Sequence, residues 1–214
     1  MHEIVSRFEK LGVIPVVAIQ KAADAMPLAD TLIAGGLACA EITFRTAAAP
    51  DAIRMMAGRG DILVGAGTVL TVEQVKTALD TGARFIVSPG FNPKVAEYCV
   101  AHEIAFTPGV CTPSDIEGAL AFGLDALKFF PAEAFGGLKT LKAMSGPYTA
   151  VRFIPTGGIN PGNLAEYLGF SKVLACGGTW IAKTDLISEG NFDKILANVK
   201  EALRIVTRCR QKDS

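Results

Sequence analysis

Histidine is nearly absent. His2 and His102 are the only two in the chain, so a histidine-rich metal site is hard to build from it. The five cysteines, Cys39, Cys99, Cys111, Cys176 and Cys209, are odd in number and widely spaced, with no C-x-x-C pair. That spacing argues against a disulfide framework or a zinc site and fits free thiols in a reducing compartment. Neither sign of charge is in surplus, since 21 Lys+Arg balance 21 Asp+Glu. The balance leaves no footprint for nucleic acid or an anionic membrane, and no acidic or basic tail. The one locally basic stretch, Arg208-Cys209-Arg210-Gln211-Lys212, reads as a frayed helix end. No apolar run is long enough to span a bilayer. Glu3, Arg7, Glu9 and Lys10 stand where a signal peptide would need an apolar core, so a cytoplasmic location is expected. No linker, charge run or low-complexity stretch divides the chain, and one domain over 1–214 is expected.

What is present is apolar: 50% of the residues are hydrophobic and 20% charged, enough to bury a large core. Residues 2–10 predict a short amphipathic helix with Ile4, Val5 and Phe8 on one side. Near-continuous apolar runs suited to parallel strands follow at 13–19, 37–45, 61–66, 84–88, 104–107, 125–130, 151–155 and 172–176. Helical stretches separate them at 24–34, 48–58, 71–82, 93–102, 112–122, 137–144 and 161–168, and a last one covers 192–208. Thr71 with Gln74 reads as a capping box, and Thr112-Pro113 as a helix start with proline first. About eight strands alternating with helices imply βαβ units and a parallel sheet. The expected fold is α/β, a (β/α)8 TIM barrel with a short N-terminal helix; the alternative is an open doubly wound sheet.

Lys128 lies inside the apolar run Leu127-Lys128-Phe129-Phe130-Pro131-Ala132-Glu133. An unpaired ammonium is costly in such a place, and a neutral amine attacks carbonyls. The bland reading is a lysine that snorkels to the surface. Alternate side chains of a barrel strand face inward. With Ile42 and Phe44 on the helix side, Glu41, Thr43 and Arg45 point inward, and by the same parity so does Lys128. Lys forms imines, Glu moves protons and Arg holds carboxylates bidentately. The competing reading of Glu41 and Arg45 is a buried pair that neutralises itself. Thr156-Gly157-Gly158 and Gly177-Gly178-Thr179 follow the expected seventh and eighth strands, where barrels often bind phosphate. Trp180 is expected to pack rather than bind. Of the other strand ends, Thr68 is a second carboxylate donor, Pro89 a pocket wall, and Pro108-Gly109 an ordinary turn.

Glu41-Ile-Thr-Phe-Arg45-Thr46, Gly65-Ala-Gly-Thr68-Val, Ser88-Pro89-Gly90, Leu127-Lys128-Phe-Phe130-Pro-Ala-Glu133, Pro155-Thr156-Gly-Gly158-Ile and Gly177-Gly178-Thr-Trp180 together resemble the 2-keto-3-deoxy-6-phosphogluconate aldolase family. These are class I pyruvate aldolases that also cleave 4-hydroxy-2-oxoglutarate. The resemblance runs from about Val13 to Trp180 in the same motif order. It implies that Lys128 forms the Schiff base, Glu41 is the general base, and Arg45 and Thr68 hold the pyruvate carboxylate. Phe130 and Pro89 would wall the pocket, and Thr156, Gly157, Gly158, Gly177, Gly178 and Thr179 would take the phosphate. It further implies no metal or organic cofactor, a phosphorylated keto acid as small-molecule partner, and a homotrimer. Two positions depart mildly from the pattern: Phe44 for leucine and Thr179 for serine. Other aldehyde partners for pyruvate, such as the galactonate epimer, stay open, as does a non-catalytic phosphosugar-binding barrel or isomerase that would need the glycine loops but not Lys128.

Overall fold

In the computed structural model, which describes residues 3–211, the apolar runs form short parallel strands and the stretches between them helices. α1 (Glu3–Leu11) leads into β1 (Val13–Val17), and α2 (Ala25–Ala34) follows a single 3-10 turn at Ala22–Asp24. β2 (Cys39–Thr43), α3 (Ala49–Ala57), β3 (Leu63–Gly67), α4 (Val72–Asp80), β4 (Ile86–Val87), α5 (Pro93–Ala101) and β5 (Phe106–Thr107) continue the alternation. Beyond Pro108 come β6 (Gly109–Val110), α6 (Pro113–Leu120), β7 (Ala126–Phe129), a 3-10 turn at Glu133–Phe135 and α7 (Gly137–Ser145). The chain ends with β8 (Arg152–Phe153), α8 (Leu164–Leu168), β9 (Cys176–Gly178), α9 (Thr184–Ser188) and α10 (Phe192–Arg210).

One sheet runs in the order β5-β4-β3-β2-β1-β9 and a second in the order β6-β7-β8. Only Pro108 separates β5 from β6, and single parallel bridges join Phe153 to Val173 and Thr156 to Gly177. Strand parity sorts the core. Val13, Ala40, Val64 and Ile86 pack with helix residues in one cluster, Leu127 and Phe153 in another. Their neighbours Ile14, Cys39, Leu63, Phe85, Ala126, Ile154 and Leu174 meet in a third cluster drawn from both sheets. Ile4 and Phe8 of α1 join it, and the Phe8 and Phe85 rings meet edge to face at 4.8 Å. α1 therefore plugs the N-terminal ends of the strands and leaves the C-terminal ends open to chemistry. Because the inner strand faces pack on one another and not on a second helix layer, the α/β fold is barrel-like rather than doubly wound.

Several local expectations change. Pro108-Gly109 is not a turn: Gly109 pairs with Lys128, and the Pro108 carbonyl accepts the Lys128 N–H at 2.9 Å. Proline lacks a donor, but its carbonyl still serves a ladder. The strand expected at 172–176 is shifted to β9, so Gly177 and Gly178 are strand residues paired with Ile14 and Pro15. Thr71 caps α4 by accepting the Gln74 N–H at 3.2 Å, but Gln74 Oε1 takes the Leu70 N–H instead of closing the box. The basic C-terminal stretch is not frayed through Arg210, whose guanidinium donates to the Glu9 and Lys10 carbonyls. His2 and Lys212 lie outside the described residues. Among the described residues, no helix is long and apolar enough to cross a membrane.

Candidate active site

β2 and β7 supply its centre. Ile42 packs in the helix-facing core, which turns Glu41 and Thr43 inward; Leu127 and Phe129 do the same for Lys128. Glu41 and Lys128 are 4% and 5% exposed, and Lys128 Nζ donates to Glu41 Oε1 at 3.2 Å. The lysine does not snorkel. Its Nζ stands 5.3 Å from the centroid of the Phe130 ring, a favourable place for a cation. Burying two charges offsets much of their mutual attraction, so such a pair is a poor stabiliser. An amine hydrogen-bonded to a carboxylate in a dry site is, by contrast, a nucleophile beside its base.

Gly65 and Gly67 make the room. Both are strand residues, with Glu41 opposite Gly65 and Thr43 opposite Gly67. A β-carbon on Gly67 would stand 2.1 Å from Glu41 Oε1, and one on Gly65 would stand 2.3 Å from the Phe85 ring. The glutamate side chain therefore lies across a backbone that carries nothing in its way.

Arg45 lies just beyond β2 and is exposed. Its Nε donates to Thr43 Oγ1 at 3.2 Å, and Thr43 Oγ1 in turn donates to the Val17 carbonyl at 2.9 Å. The self-neutralising Glu41–Arg45 pair is not formed; Lys128 holds the glutamate instead. With Nε anchored, the terminal guanidinium nitrogens have no protein partner among the described residues, which leaves the fork a carboxylate accepts. Thr68 is half-buried at the same strand ends, with φ 56° in the left-handed region. Pro89 is half-buried too; a β-carbon on Gly109 would meet its carbonyl oxygen at 2.1 Å. Since Gly109 pairs with Lys128, Pro89 sits one strand away from the amine.

The glycine loops stand beside this centre, joined by the Thr156–Gly177 bridge. Gly157 and Gly158 have φ 98° and 83°, where a side chain is strained. The Gly158 carbonyl accepts the Nδ2 groups of Asn160 and Asn163 at 3.1 and 3.2 Å, and its N–H has no protein acceptor among the described residues. Gly177 and Gly178 are glycines for another reason than backbone angle. β-carbons there would stand 2.2 Å from Thr156 Oγ1 and 2.5 Å from the Trp180 ring. Trp180 packs, as expected. Thr156 is buried and Thr179 exposed.

Sequence reasoning missed Thr43 as the residue that orients Arg45, and Gly67 as the space for Glu41. The first signal was available, since Thr43 shares the inward parity. The second was not, because Gly65-Ala66-Gly67 reads equally well as a turn. A cavity of about 630 Å³ lies at the opposite ends of β3 and β4, lined by Arg7, Asp61, Leu63 and Arg84 among others; cavity size does not point to the buried pair. Among the described residues, no three His, Cys, Asp or Glu side chains are grouped to hold a metal ion.

Known proteins are similar to this chain in sequence and in fold. The family model described as KDPG and KHG aldolase matches residues 4–198. A 2-dehydro-3-deoxy-phosphogluconate aldolase of Treponema pallidum is 48% identical over 207 residues, covering 96% of this chain and 99% of that protein. The KHG/KDPG aldolase of Escherichia coli is 41% identical over 192 residues, covering 89% and 90%. The crystal structure of KDPG aldolase from Legionella pneumophila, with pyruvate captured at low pH as a covalent carbinolamine intermediate, matches with a TM-score of 0.89 at 38% identity over 92% of this chain and 97% of that one. A likeness this broad, in sequence and in fold alike, is that of common membership: the chain belongs to the KDPG and KHG aldolase family and is a lyase.

Proposed function

We propose that the protein is a class I aldolase that cleaves 2-keto-3-deoxy-6-phosphogluconate to pyruvate and glyceraldehyde 3-phosphate, and 4-hydroxy-2-oxoglutarate to pyruvate and glyoxylate. The observation that carries this reading is the buried hydrogen bond of 3.2 Å between Lys128 Nζ and Glu41 Oε1, at the strand ends where barrel enzymes keep their catalytic groups. Glu41 accepts a proton from the amine, whose lone pair adds to the C2 ketone. Glu41 returns that proton to the carbinolamine hydroxyl, which leaves as water to give a protonated imine and an ionised Glu41. Glu41, directly or through a water, then takes the proton of the C4 hydroxyl. The C3–C4 bond breaks, its electron pair moves into the enamine, and the aldehyde leaves. The proton held by Glu41, directly or through the same water, goes to C3 of the enamine, and water hydrolyses the imine to release pyruvate and the free amine.

Arg45 and Thr68 hold the carboxylate throughout, and fixed orientation lowers the barrier. Phe130 and Pro89 wall the pyruvate site. Thr156, Gly157, Gly158, Gly177, Gly178 and Thr179 receive the phosphate, where backbone N–H groups and glycine geometry let oxygen atoms approach. The architecture that serves this is a closed (β/α)8 barrel in one domain, a reading supported by the continuity of β5 into β6 and by the two bridges between the sheets. On the family pattern the assembly is a homotrimer acting in the cytoplasm, the first of which sedimentation equilibrium checks. Borohydride reduction in the presence of pyruvate, followed by peptide mapping, tests the assignment. The adduct is expected on Lys128, and an adduct on another lysine ends it. Excess chelator is expected to leave turnover unchanged.

A further inference from the structure

Glu133 closes the same stretch that carries Lys128, yet the imine chemistry has no use for it. Its surroundings give it a different task. Beyond the end of β7, the Ala132 N–H donates to the Thr156 carbonyl at 2.8 Å and the Glu133 N–H to the Gly157 carbonyl at 3.0 Å. The β7–β8 ladder thus continues into the glycine loop. The Glu133 side chain lies on that loop, because a β-carbon on Gly158 would stand 2.5 Å from Glu133 Cβ and Cγ. Its carboxylate then turns to α8, where Oε1 accepts the Tyr167 hydroxyl. Tyr167 is 1% exposed. Burial first, and then the Glu133 carboxylate, push its phenol well above the ordinary tyrosine range, so it stays a donor.

Both groups rest on Gly137 at the start of α7. A β-carbon there would stand 2.9 Å from Glu133 Oε1 and 3.2 Å from the Tyr167 hydroxyl oxygen. On the other side, Asn160 and Asn163 hold the Gly158 carbonyl. Gly158 is therefore gripped between an aliphatic stem and two amides, and the stem is itself tied down through its carboxylate. An untethered carboxylate beside an anion site would repel the ligand; the bond to Tyr167 fixes where that charge sits.

We propose that Glu133, held by Tyr167, is a positioning residue that sets the Gly157–Gly158 loop for phosphate and makes the enzyme favour phosphorylated keto acids. This rests on the reading of that loop as the phosphate site. The readout is kcat/KM for 2-keto-3-deoxy-6-phosphogluconate against 4-hydroxy-2-oxoglutarate, together with the yield of borohydride-trapped pyruvate. Glu133→Ala and Tyr167→Phe are expected to lower the first by about tenfold, the scale of one hydrogen bond, mainly through KM. They should leave the second within about twofold and the trapped pyruvate at its wild-type yield. Glu133→Gln keeps an acceptor for Tyr167 and the contact with Gly158, and should restore the wild-type ratio. An equal loss on both substrates, or no loss on either, overturns the proposal. Gly158→Ala separates this from the reading beneath it. If that variant loses phosphorylated substrate selectively while Glu133→Ala and Tyr167→Phe do not, only the positioning role fails. If Gly158→Ala lowers both substrates equally, the phosphate assignment of the loop fails and takes the proposal with it.

Discussion

Gly67 determines where the Glu41 carboxylate can lie. Gly67→Ala would place a methyl group in the carboxylate's space. It is expected to slow cleavage by about 10²–10⁴, the range of a misplaced or missing general base. Glu41→Gln should do the same while still trapping pyruvate under borohydride. Stability separates the partners of the buried pair. Lys128→Ala is expected to abolish turnover and to leave a carboxylate alone in a site only 4% exposed, at a cost of about 3–5 kcal/mol. The double variant Lys128→Met with Glu41→Gln removes both charges and should recover most of that in urea unfolding. If Lys128→Ala were as stable as the parent, the pair would not be desolvated as described. Arg45→Lys replaces a planar fork with a point charge. Because Nε is the atom anchored on Thr43, the lysine also loses its orientation, and the KM for both substrates is expected to rise. Normal pyruvate binding by this variant would remove Arg45 from the carboxylate site.

Between residues and the whole, α6 shows how an element is held beside the site. It follows β6, whose Gly109 pairs with Lys128. At its start, Thr112 Oγ1 accepts the Asp115 N–H at 3.2 Å, and Asp115 Oδ2 accepts the Thr112 N–H at 3.0 Å. The Cys111 N–H reaches the same oxygen at 3.1 Å. Partial burial raises the Asp115 carboxyl, but hydrogen bonds from Cys111 and Thr112 outweigh it and hold the group below the ordinary carboxylate range. A folded-state value below the unfolded one means stability that is present above the unfolded value and lost as pH falls through the folded one. Asp115→Asn should therefore cost about 1 kcal/mol near neutrality, the usual worth of a cap. The two proteins should converge in acid; a constant gap across the acid limb would contradict the capping role. The start of α6 was legible in Thr112-Pro113. Its box was not, because the usual signature has Glu or Gln where this chain has Asp115.

For the molecule as a whole, the cysteines report how tightly the layers close. Cys39, Cys99 and Cys176 are buried, and Cys111 and Cys209 half-buried. Burial pushes the Cys39 and Cys99 thiols up to about 12 and raises Cys176 as well. Burial, and then Asp115, raises Cys111. A raised thiol holds little reactive thiolate near pH 8. With a disulfide reagent at that pH, Cys209 should react first and Cys111 more slowly, and the three buried thiols only after denaturation. Rapid labelling of all five in the native protein would mean that the strand–helix interface opens readily.

Taken by itself, the sequence determined the alternation of strands and helices, the inward parity of Glu41 and Lys128, and the chemistry that amine, carboxylate and guanidinium can perform together. These are short-range properties: hydrophobic period, turn residues and side-chain type repeat within a few positions and can be read locally. Tertiary structure decided which charges meet. Glu41 stood four residues from Arg45 in sequence and 87 from Lys128, yet it bonds to the distant one, because strand register and packing, not sequence distance, set that contact. It also carried the chain past Pro108 from β5 into β6 with no turn, since a ladder that needs only the proline's carbonyl does not notice the missing donor. And it gave these glycines their reasons: left-handed backbone at Gly157 and Gly158, and an opposing side chain at Gly67 and Gly177. What a missing side chain makes room for lies on a neighbouring strand or loop, and no local pattern records it.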